Sequence, residues 1–268
     1  NNTLDGGDGT ADFVSYSSFT QSVTINLGLT YDGASGDYDY NDTNLDGKVN
    51  NYQEAGAAGR LKILNVENLE GGSADDILIG SVSNNELKGG EGDDTLIGGA
   101  GNDILRGESH TIIGNTQGTT TSATGKGDTA DYSKANVGTG ITVNMAAAQT
   151  LTLESSWAVS NDGFGGRDYL AGIENIIGTN YSDNITGDDN KNYIFGGLSS
   201  DIIAGGKGDD SLEGGAGNDN FKATSYDDGN DIIDGEKNGV SDSGIDTVDY
   251  SAITSSTYHL EVNLTSGT

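Results

Sequence analysis

Apolar residues recur at every ninth position in two stretches of this chain, and glycine and polar residues fill most of the positions between them. The two series are Leu78, Leu87, Leu96 and Leu105, and Ile185, Ile194, Ile203, Leu212 and Phe221. Side chains alternate between the two faces of a strand, so the repeated apolar residue of each short strand is predicted to point inward. One unit cannot bury its apolar face alone, and the units must therefore stack. The pattern predicts an all-β solenoid with a thin core.

The residues between these apolar positions follow the consensus Gly-Gly-x-Gly-x-Asp-x-apolar-x. Units begin at Gly71, Gly80, Gly89 and Gly98, and again at Gly178, Gly187, Gly196, Gly205 and Gly214. Glycine adopts positive φ at low cost, so the first six residues of each unit predict a tight turn. Position six carries an oxygen-bearing side chain in every unit: Asp76, Asn85, Asp94, Asp103, Asp183, Asn192, Asp201, Asp210 and Asp219.

Composition narrows the functions that such a chain can have. Of 268 residues, 42 are acidic and 12 are Lys or Arg, which gives a net charge of −30. This charge excludes a nucleic-acid partner, because phosphate backbones would be repelled. Apolar runs fall far short of the roughly 20 residues that span a bilayer. The chain has no Cys and so no disulfides,. A thin core does not offset the ordering entropy of 44 glycines, so the carboxylates are expected to bind a stabilising cation,.

The ligand chemistry of the turns favours calcium. Carboxylates and backbone carbonyls form an all-oxygen shell, and a flexible glycine cage suits the six to eight ligands of Ca²⁺ better than the tight octahedron of Mg²⁺. No His or Cys occupies a repeat position, which argues against zinc and copper,.

The nonapeptides keep the same nine-residue phase throughout each tract, and they resemble those of the RTX (repeats-in-toxin) family. The resemblance implies a calcium-filled right-handed parallel β-roll, in which turns 18 residues apart hold one ion between their position-six side chains. It implies the pairs Asp76–Asp94, Asn85–Asp103, Asp183–Asp201, Asn192–Asp210 and Asp201–Asp219, with Asp210 also facing Asp228. It further implies carbonyl ligands from positions one to four of the turns: Gly71, Ser73, Gly89, Gly90, Glu91, Gly92, Gly98, Ala100, Gly196, Leu198, Gly205, Gly206, Lys207, Gly208, Gly214 and Ala216. The expected content is about six Ca²⁺ ions in the two rolls.

Larger repeats divide the chain into modules of roughly 118 residues. The motif Thr129-Ala130-Asp131 recurs as Thr10-Ala11-Asp12 and Thr247-Val248-Asp249. We expect a first module at 1–126, with an acidic insertion at 31–60, a β-roll at 62–109 and a linker at 110–126. A second module at 127–244 has an insertion at 146–168 and a β-roll at 173–235. Residues 245–268 would begin a third module, so the chain is expected to be a fragment of a longer array.

The first insertion holds a different calcium motif, which resembles an EF-hand or dockerin loop. The expected ligands are Asp42, Asn44, Asp46, the backbone of Lys48, and Asn50,. The acid that closes the loop, Glu54, comes one residue later than in the family pattern. An ordinary acidic turn is the alternative.

Two functions fit this sequence, and neither is enzymatic. No zinc-protease helix, nucleophile elbow or phosphate-binding loop occurs,. The first function is a calcium-binding structural segment of a large extracellular bacterial protein, of the adhesin, surface-layer or matrix-filament type. The alternative is a calcium-dependent folding and export domain of a secreted hydrolase or toxin. The resemblance implies type I secretion and a secreted or cell-surface location. Self-association and glycan contacts through a larger parent protein stay open.

Overall fold

The computed structural model describes residues 2–9, 11–27, 61–108, 127–135, 138–146, 158–223, 229–236 and 244–253. These residues form short β-strands joined by turns, and none of them lies in an α-helix. No helix in these ranges is long and apolar enough to cross a membrane.

Twenty-one strands are present in the described residues. In chain order they are β1 (Asn2–Asp5), β2 (Phe13–Ser15), β3 (Thr24–Asn26), β4 (Leu61–Leu64), β5 (Asn68–Glu70), β6 (Ile77–Ile79), β7 (Glu86–Gly90), β8 (Thr95–Ile97), β9 (Ile104–Glu108), β10 (Thr129–Asp131), β11 (Thr142–Asn144), β12 (Val159–Asn161), β13 (Tyr169–Ala171), β14 (Asn175–Ile177), β15 (Asn184–Thr186), β16 (Tyr193–Leu198), β17 (Ile202–Ala204), β18 (Ser211–Ala216), β19 (Asn220–Lys222), β20 (Ile232–Asp234) and β21 (Thr247–Asp249).

The strands form the two faces of a parallel β-roll solenoid, which confirms the predicted fold class. One face is a single eight-stranded sheet in the order β20-β18-β16-β14-β10-β8-β6-β3. The other face contains a five-stranded sheet, β13-β9-β7-β5-β2, and a six-stranded sheet, β12-β11-β15-β17-β19-β21. Strands β1 and β4 pair separately. Apart from the antiparallel pair β11–β12, the strand pairs are parallel.

Strand register turns the nine-residue sequence period into an 18-residue spatial period. Leu78 lies opposite Leu96 in one sheet, and Leu87 lies opposite Leu105 in the other. Successive nonapeptides therefore alternate between the two faces, and every second turn lies at the same edge. The sequence period explains this arrangement, because nine residues suffice for one strand and one turn.

The core is a ladder of single side chains between the two faces. Both predicted apolar series are buried, together with residues outside the repeats such as Ile25, Ile141 and Val143. Most of the three-residue strands bury their middle residue, as in the intermediate–buried–intermediate pattern of β8. The core is built largely from these inward residues, so much of the stabilisation is expected to come from the turns.

The two repeat tracts share one continuous sheet. Strand β10 pairs with β8 of the first tract and with β14, which begins the second. The module boundary expected at residue 127 stays a prediction, but the sheet does not break there. Hydrogen bonding can continue because β10 has the length and apolar spacing of a repeat strand.

Candidate calcium centres

The position-six residues are linked in ladders along the edges of the roll. Each lies directly before a strand, and in five of the nine the backbone N–H donates to the carboxylate 18 residues later. The N–H of Asp76 donates to Asp94 Oδ1 at 2.7 Å, and that of Asn85 to Asp103 Oδ1 at 2.8 Å. In the second tract the corresponding bonds, all 2.8 Å long, are Asp183 to Asp201, Asn192 to Asp210, and Asp201 to Asp219. The structure thus brings together the five pairs that the resemblance implies.

These carboxylates are buried without a basic partner. Asp94 and Asp201 are 1% exposed and Asp103 is 0% exposed. The charges that act on Asp94, Asp103 and Asp201 come from neighbouring aspartates. Arg106 pairs instead with Glu86, and Lys207 pairs with Asp189. Burying an ionised carboxylate is costly unless a counter-charge accompanies it. A counter-charge must come from outside the chain.

Burial also raises the proton affinity of the same groups. Desolvation is the main cause that raises the pKa of Asp94 to about 7 and the pKa of Asp103 and Asp201 to about 8. Neighbouring carboxylates add to this rise: Asp76 next to Asp94, and Asp183 and Asp219 next to Asp201. A cation bound between the turns would remove both causes, since it offsets the charge that desolvation penalises.

Glycine at position one leaves room for two converging oxygens. A Cβ atom added to Gly71 would collide with Asp76 Oδ2 and with the carbonyl oxygen of Gly89. The same collision occurs at Gly196, with Asp201 Oδ2 and, 2.7 Å away, the carbonyl oxygen of Gly214. The carboxylate of one turn and a carbonyl from the turn 18 residues later therefore border one space. We call such a space a cradle.

The turns are of two kinds, and the difference lies in the backbone at positions two and four. In the turns that begin at Gly89, Gly98, Gly196, Gly205 and Gly214, both positions have positive φ: Gly90 and Gly92, Gly99 and Gly101, Gly197 and Ser199, Gly206 and Gly208, Gly215 and Gly217. We call these the positive-φ turns. The first two turns of each tract, which begin at Gly71, Gly80, Gly178 and Gly187, have positive φ at neither position. We call them the opening turns.

In the opening turns, the turn's own backbone satisfies the position-six side chain. The N–H at position two donates to Asp76 Oδ2 from Gly72 and to Asp183 Oδ2 from Thr179, each at 2.6 Å. Asn85 and Asn192 accept the same bond from Ser81 and Asp188.

In the positive-φ turns this internal bond is missing, and buried oxygens are left over. Asp94 Oδ2, Asp103 Oδ2 and Asp201 Oδ2 are buried and have no hydrogen-bond partner in the structure. A buried acceptor without a partner costs about 1–3 kcal/mol, and more when it is charged. These three oxygens show which turns need an added cation.

The donor set fits Ca²⁺. The cradles at Gly71, Gly89 and Gly196 each combine a carboxylate oxygen with a backbone carbonyl, and the cradle at Gly80 combines a carboxamide oxygen with one. These are the ligands that calcium prefers. No group of three or more His, Cys, Asp or Glu side chains in the described ranges is placed to hold a metal without the backbone. The specific ligand set stays a prediction, including the carbonyls expected at positions one to four.

Several residues that continue the ladders lie outside the consensus. The N–H of Asp94 donates to Asp128 Oδ1 at 2.8 Å, and the N–H of Asp219 donates to Asp246 Oδ1 at 2.9 Å. Gly107 borders Asp128 Oδ2 as Gly89 borders Asp94 Oδ2, and Gly235 stands in the same relation to Asp246. The turn from Gly107 to Asp128 and the turn from Gly235 to Asp246 are therefore nonapeptide turns with extra residues inserted between position one and position six. The sequence signal was the pattern Asp-Thr-apolar, which Asp128 and Asp246 share with Asp94.

The ladder also continues beyond Asp210, at a spacing that differs from the consensus. The N–H of Asp210 donates to Asp231 Oδ1 at 3.1 Å, and the spacing is 21 residues instead of 18. The pairing of Asp210 with Asp228 stays a prediction. Asp228 itself lies outside the described residues. So do the ligands expected in the first insertion: Asp42, Asn44, Asp46, Lys48, Asn50 and Glu54.

Comparison with known proteins identifies the repeats. The family model for the RTX calcium-binding nonapeptide repeat (4 copies) matches residues 69–108, 168–203 and 195–223. A search of curated proteins finds no match. The matched ranges contain the paired carboxylates and the glycine cradles of both tracts. The predicted RTX repeats are thus confirmed: this chain carries RTX calcium-binding nonapeptide repeats in both of its tracts.

Proposed function

We propose that this chain is a calcium-binding structural segment of a large extracellular bacterial protein, of the adhesin, surface-layer or matrix-filament type, and that it folds on binding Ca²⁺ after secretion. The observation that carries the proposal is the set of buried oxygens without partners at Asp94, Asp103 and Asp201. These oxygens make the fold depend on an ion that is scarce inside cells and abundant outside them.

The charge of the chain supports the same proposal. Without metal, a net charge of −30 opposes compaction by self-repulsion,. About six calcium ions would contribute roughly +12 and leave about −18. Because the binding site does not exist in the unfolded chain, the free energy of binding also stabilises the fold.

A continuous solenoid suits a structural role. The eight-stranded sheet contains strands of both tracts, so the described residues of the two tracts are hydrogen-bonded into one stack on that face. Repeat stacks of this type can be extended by further modules, because each unit contacts only its neighbours. This favours a structural segment over an export domain attached to an enzyme.

Limited proteolysis in calcium buffers tests the proposal. At about 0.1 μM free calcium, a cytosolic level, we expect rapid cleavage throughout the chain, and at about 1 mM we expect protection of both tracts. Adding about 1 mM magnesium in place of calcium should not protect. Equal protection in the two calcium buffers would contradict folding after secretion.

A further inference from the structure

A turn outside the nonapeptides continues the edge of the first tract. Residues 162–168 lie in the second module's predicted insertion, yet they stack on the turn 98–103. The N–H of Asp103 donates to Asp168 Oδ1 at 3.0 Å, and the N–H of Arg167 donates to Asn102 Oδ1 at 2.9 Å. The contacts join residues that are 65 positions apart in sequence. Asp168 therefore occupies the place of a position-six carboxylate.

Asp168 has a partner for each of its carboxylate oxygens. Its Oδ1 accepts the Asp103 N–H, and its Oδ2 accepts the hydroxyl of Tyr132 at 3.0 Å. Tyr132 is itself buried, so this hydroxyl is held in place by the core. In Asp94 and Asp201, Oδ2 has no hydrogen-bond partner. In Asp168 the corresponding oxygen already accepts a hydrogen bond from Tyr132.

Asp162, at the other end of the same turn, has the oxygen without a partner. Its side chain is 0% exposed. Oδ1 accepts the N–H groups of Phe164 at 2.7 Å and Gly166 at 2.8 Å, which closes the turn. Oδ2 has no hydrogen-bond partner and is buried.

The unpartnered oxygen faces a backbone carbonyl of the first tract. A Cβ atom added to Gly166 would meet the Gly101 carbonyl oxygen and, at 2.6 Å, Asp162 Oδ2. Two acceptors thus border one space with no donor between them, as in the nonapeptide cradles. The charge of Asp162 also acts on Asp103 and Asp168, since it is among the causes that raise the pKa of both carboxyls.

We propose that Asp162 Oδ2 and the Gly101 carbonyl oxygen bind a divalent cation of the calcium type, at a site that the nonapeptide consensus does not describe. In a regular turn Asp168 would supply the carboxylate. Here Asp162 supplies it, because Asp168 Oδ2 already accepts a hydrogen bond from the Tyr132 hydroxyl. The ion would join residue 101 of the first tract to residue 162 of the second module, and so fasten the junction between the two repeat tracts.

The test is a count of bound calcium by equilibrium dialysis on the full chain. The Asp162→Asn variant keeps an acceptor for the N–H groups of Phe164 and Gly166 but loses the charge. We expect it to bind one ion fewer than the wild-type chain. Asp189→Asn, a charge-matched control at an exposed carboxylate that pairs with Lys207, should bind the wild-type number.

Three further outcomes are informative. Equal counts in the wild-type chain and the Asp162→Asn variant would overturn this site alone. A wild-type chain that binds no calcium would overturn both the site and the proposed function. If Asp162→Asn does not fold in excess calcium, the count is made on Asp162→Ser, which also retains an acceptor; one ion fewer supports the site, and the wild-type number overturns it.

Discussion

The backbone N–H of Asp183 donates to Oδ1 of Asp201, 18 residues later, at 2.8 Å. This bond uses one carboxylate oxygen of Asp201 to fix the spacing of two turns and leaves Oδ2 buried with no partner. The same division occurs in Asp94 and Asp103. One oxygen thus serves the architecture of the roll, and the other is available to a cation.

The two kinds of turn should respond differently to loss of charge. Asp201→Asn removes the charge from a cradle whose Oδ2 has no donor, so we expect at least about a tenfold loss of calcium affinity in the second tract. Asp183→Asn should cost clearly less, because Thr179 and Ile141 already donate to this side chain. The chain itself has Asn at two opening turns, Asn85 and Asn192. Calcium titration calorimetry on both variants makes the comparison, and equal losses would contradict the distinction.

Replacing side chains at position three of the turns should not change the number of bound calcium ions. The resemblance assigns only the backbone carbonyls of Leu198 and Lys207 as ligands. Leu198 is 50% exposed and the Lys207 side chain 48% exposed. We expect Leu198→Ala and Lys207→Ala to bind as many ions as the wild-type chain. Loss of the Lys207–Asp189 pair should change stability by no more than about 1 kcal/mol, since surface ion pairs contribute little,. A reduced calcium count in either variant would show that the side chain takes part.

The thin core should be sensitive to truncation. Leu96 is 0% exposed and lies opposite Leu78 in the hydrophobic core. Leu96→Ala is expected to lower the free energy of unfolding in saturating calcium by about 2–5 kcal/mol, through lost burial and a residual cavity. Val82, 82% exposed, is the control, and Val82→Ala should change little,. Urea unfolding measures the free energy of unfolding of both variants. Similar small changes in the two would mean that the hydrophobic core does not stabilise the fold.

Protons and calcium should compete for the same carboxylates. The folded metal-free chain holds protons on Asp103 and Asp201 up to about pH 8, whereas an unperturbed Asp releases its proton near 3.8. Between these values the folded state binds more protons than the unfolded state. The free energy of unfolding of the metal-free chain therefore falls as pH rises through this window.

With calcium present the sign reverses, because the metal binds the deprotonated carboxylates. We expect apparent calcium affinity to fall as pH is lowered from about 8 to about 6, the range in which these groups take up protons. Calcium titrations at several pH values provide the measurement. Affinity that stays constant over the range would show that the buried carboxylates are not the ligands.

The repeat period predicted much of the fold, since nine residues and one inward apolar residue per unit leave few alternatives. The places of Asp76, Asp94, Asp183 and Asp201 followed from their phase alone. Phase could not locate Asp128 or Asp246, because insertions separate each of them from the glycine that completes its turn. It also failed at Asp231, where three extra residues shift the spacing to 21.

The sequence predicts only in part which turns are positive-φ turns and which are opening turns. Glycine at positions two and four, as in Gly90 and Gly92, signals a positive-φ turn, but Ser199 adopts the same conformation with φ of 71°. Gly72 occupies position two without positive φ. Conformation there depends on stacking against neighbouring turns, which no local sequence encodes. Asp162 was hidden for a similar reason, since the Gly101 carbonyl that borders the same space belongs to a distant part of the sequence.

Far-UV circular dichroism during a calcium titration of chelator-treated protein tests the central claim most directly. The account predicts a coil-like spectrum in excess chelator and a cooperative change to β-structure at about 1 mM calcium or below, with magnesium ineffective. A chain that is already rich in β-structure in excess chelator at neutral pH would contradict the account, because its buried carboxylates would then need no metal.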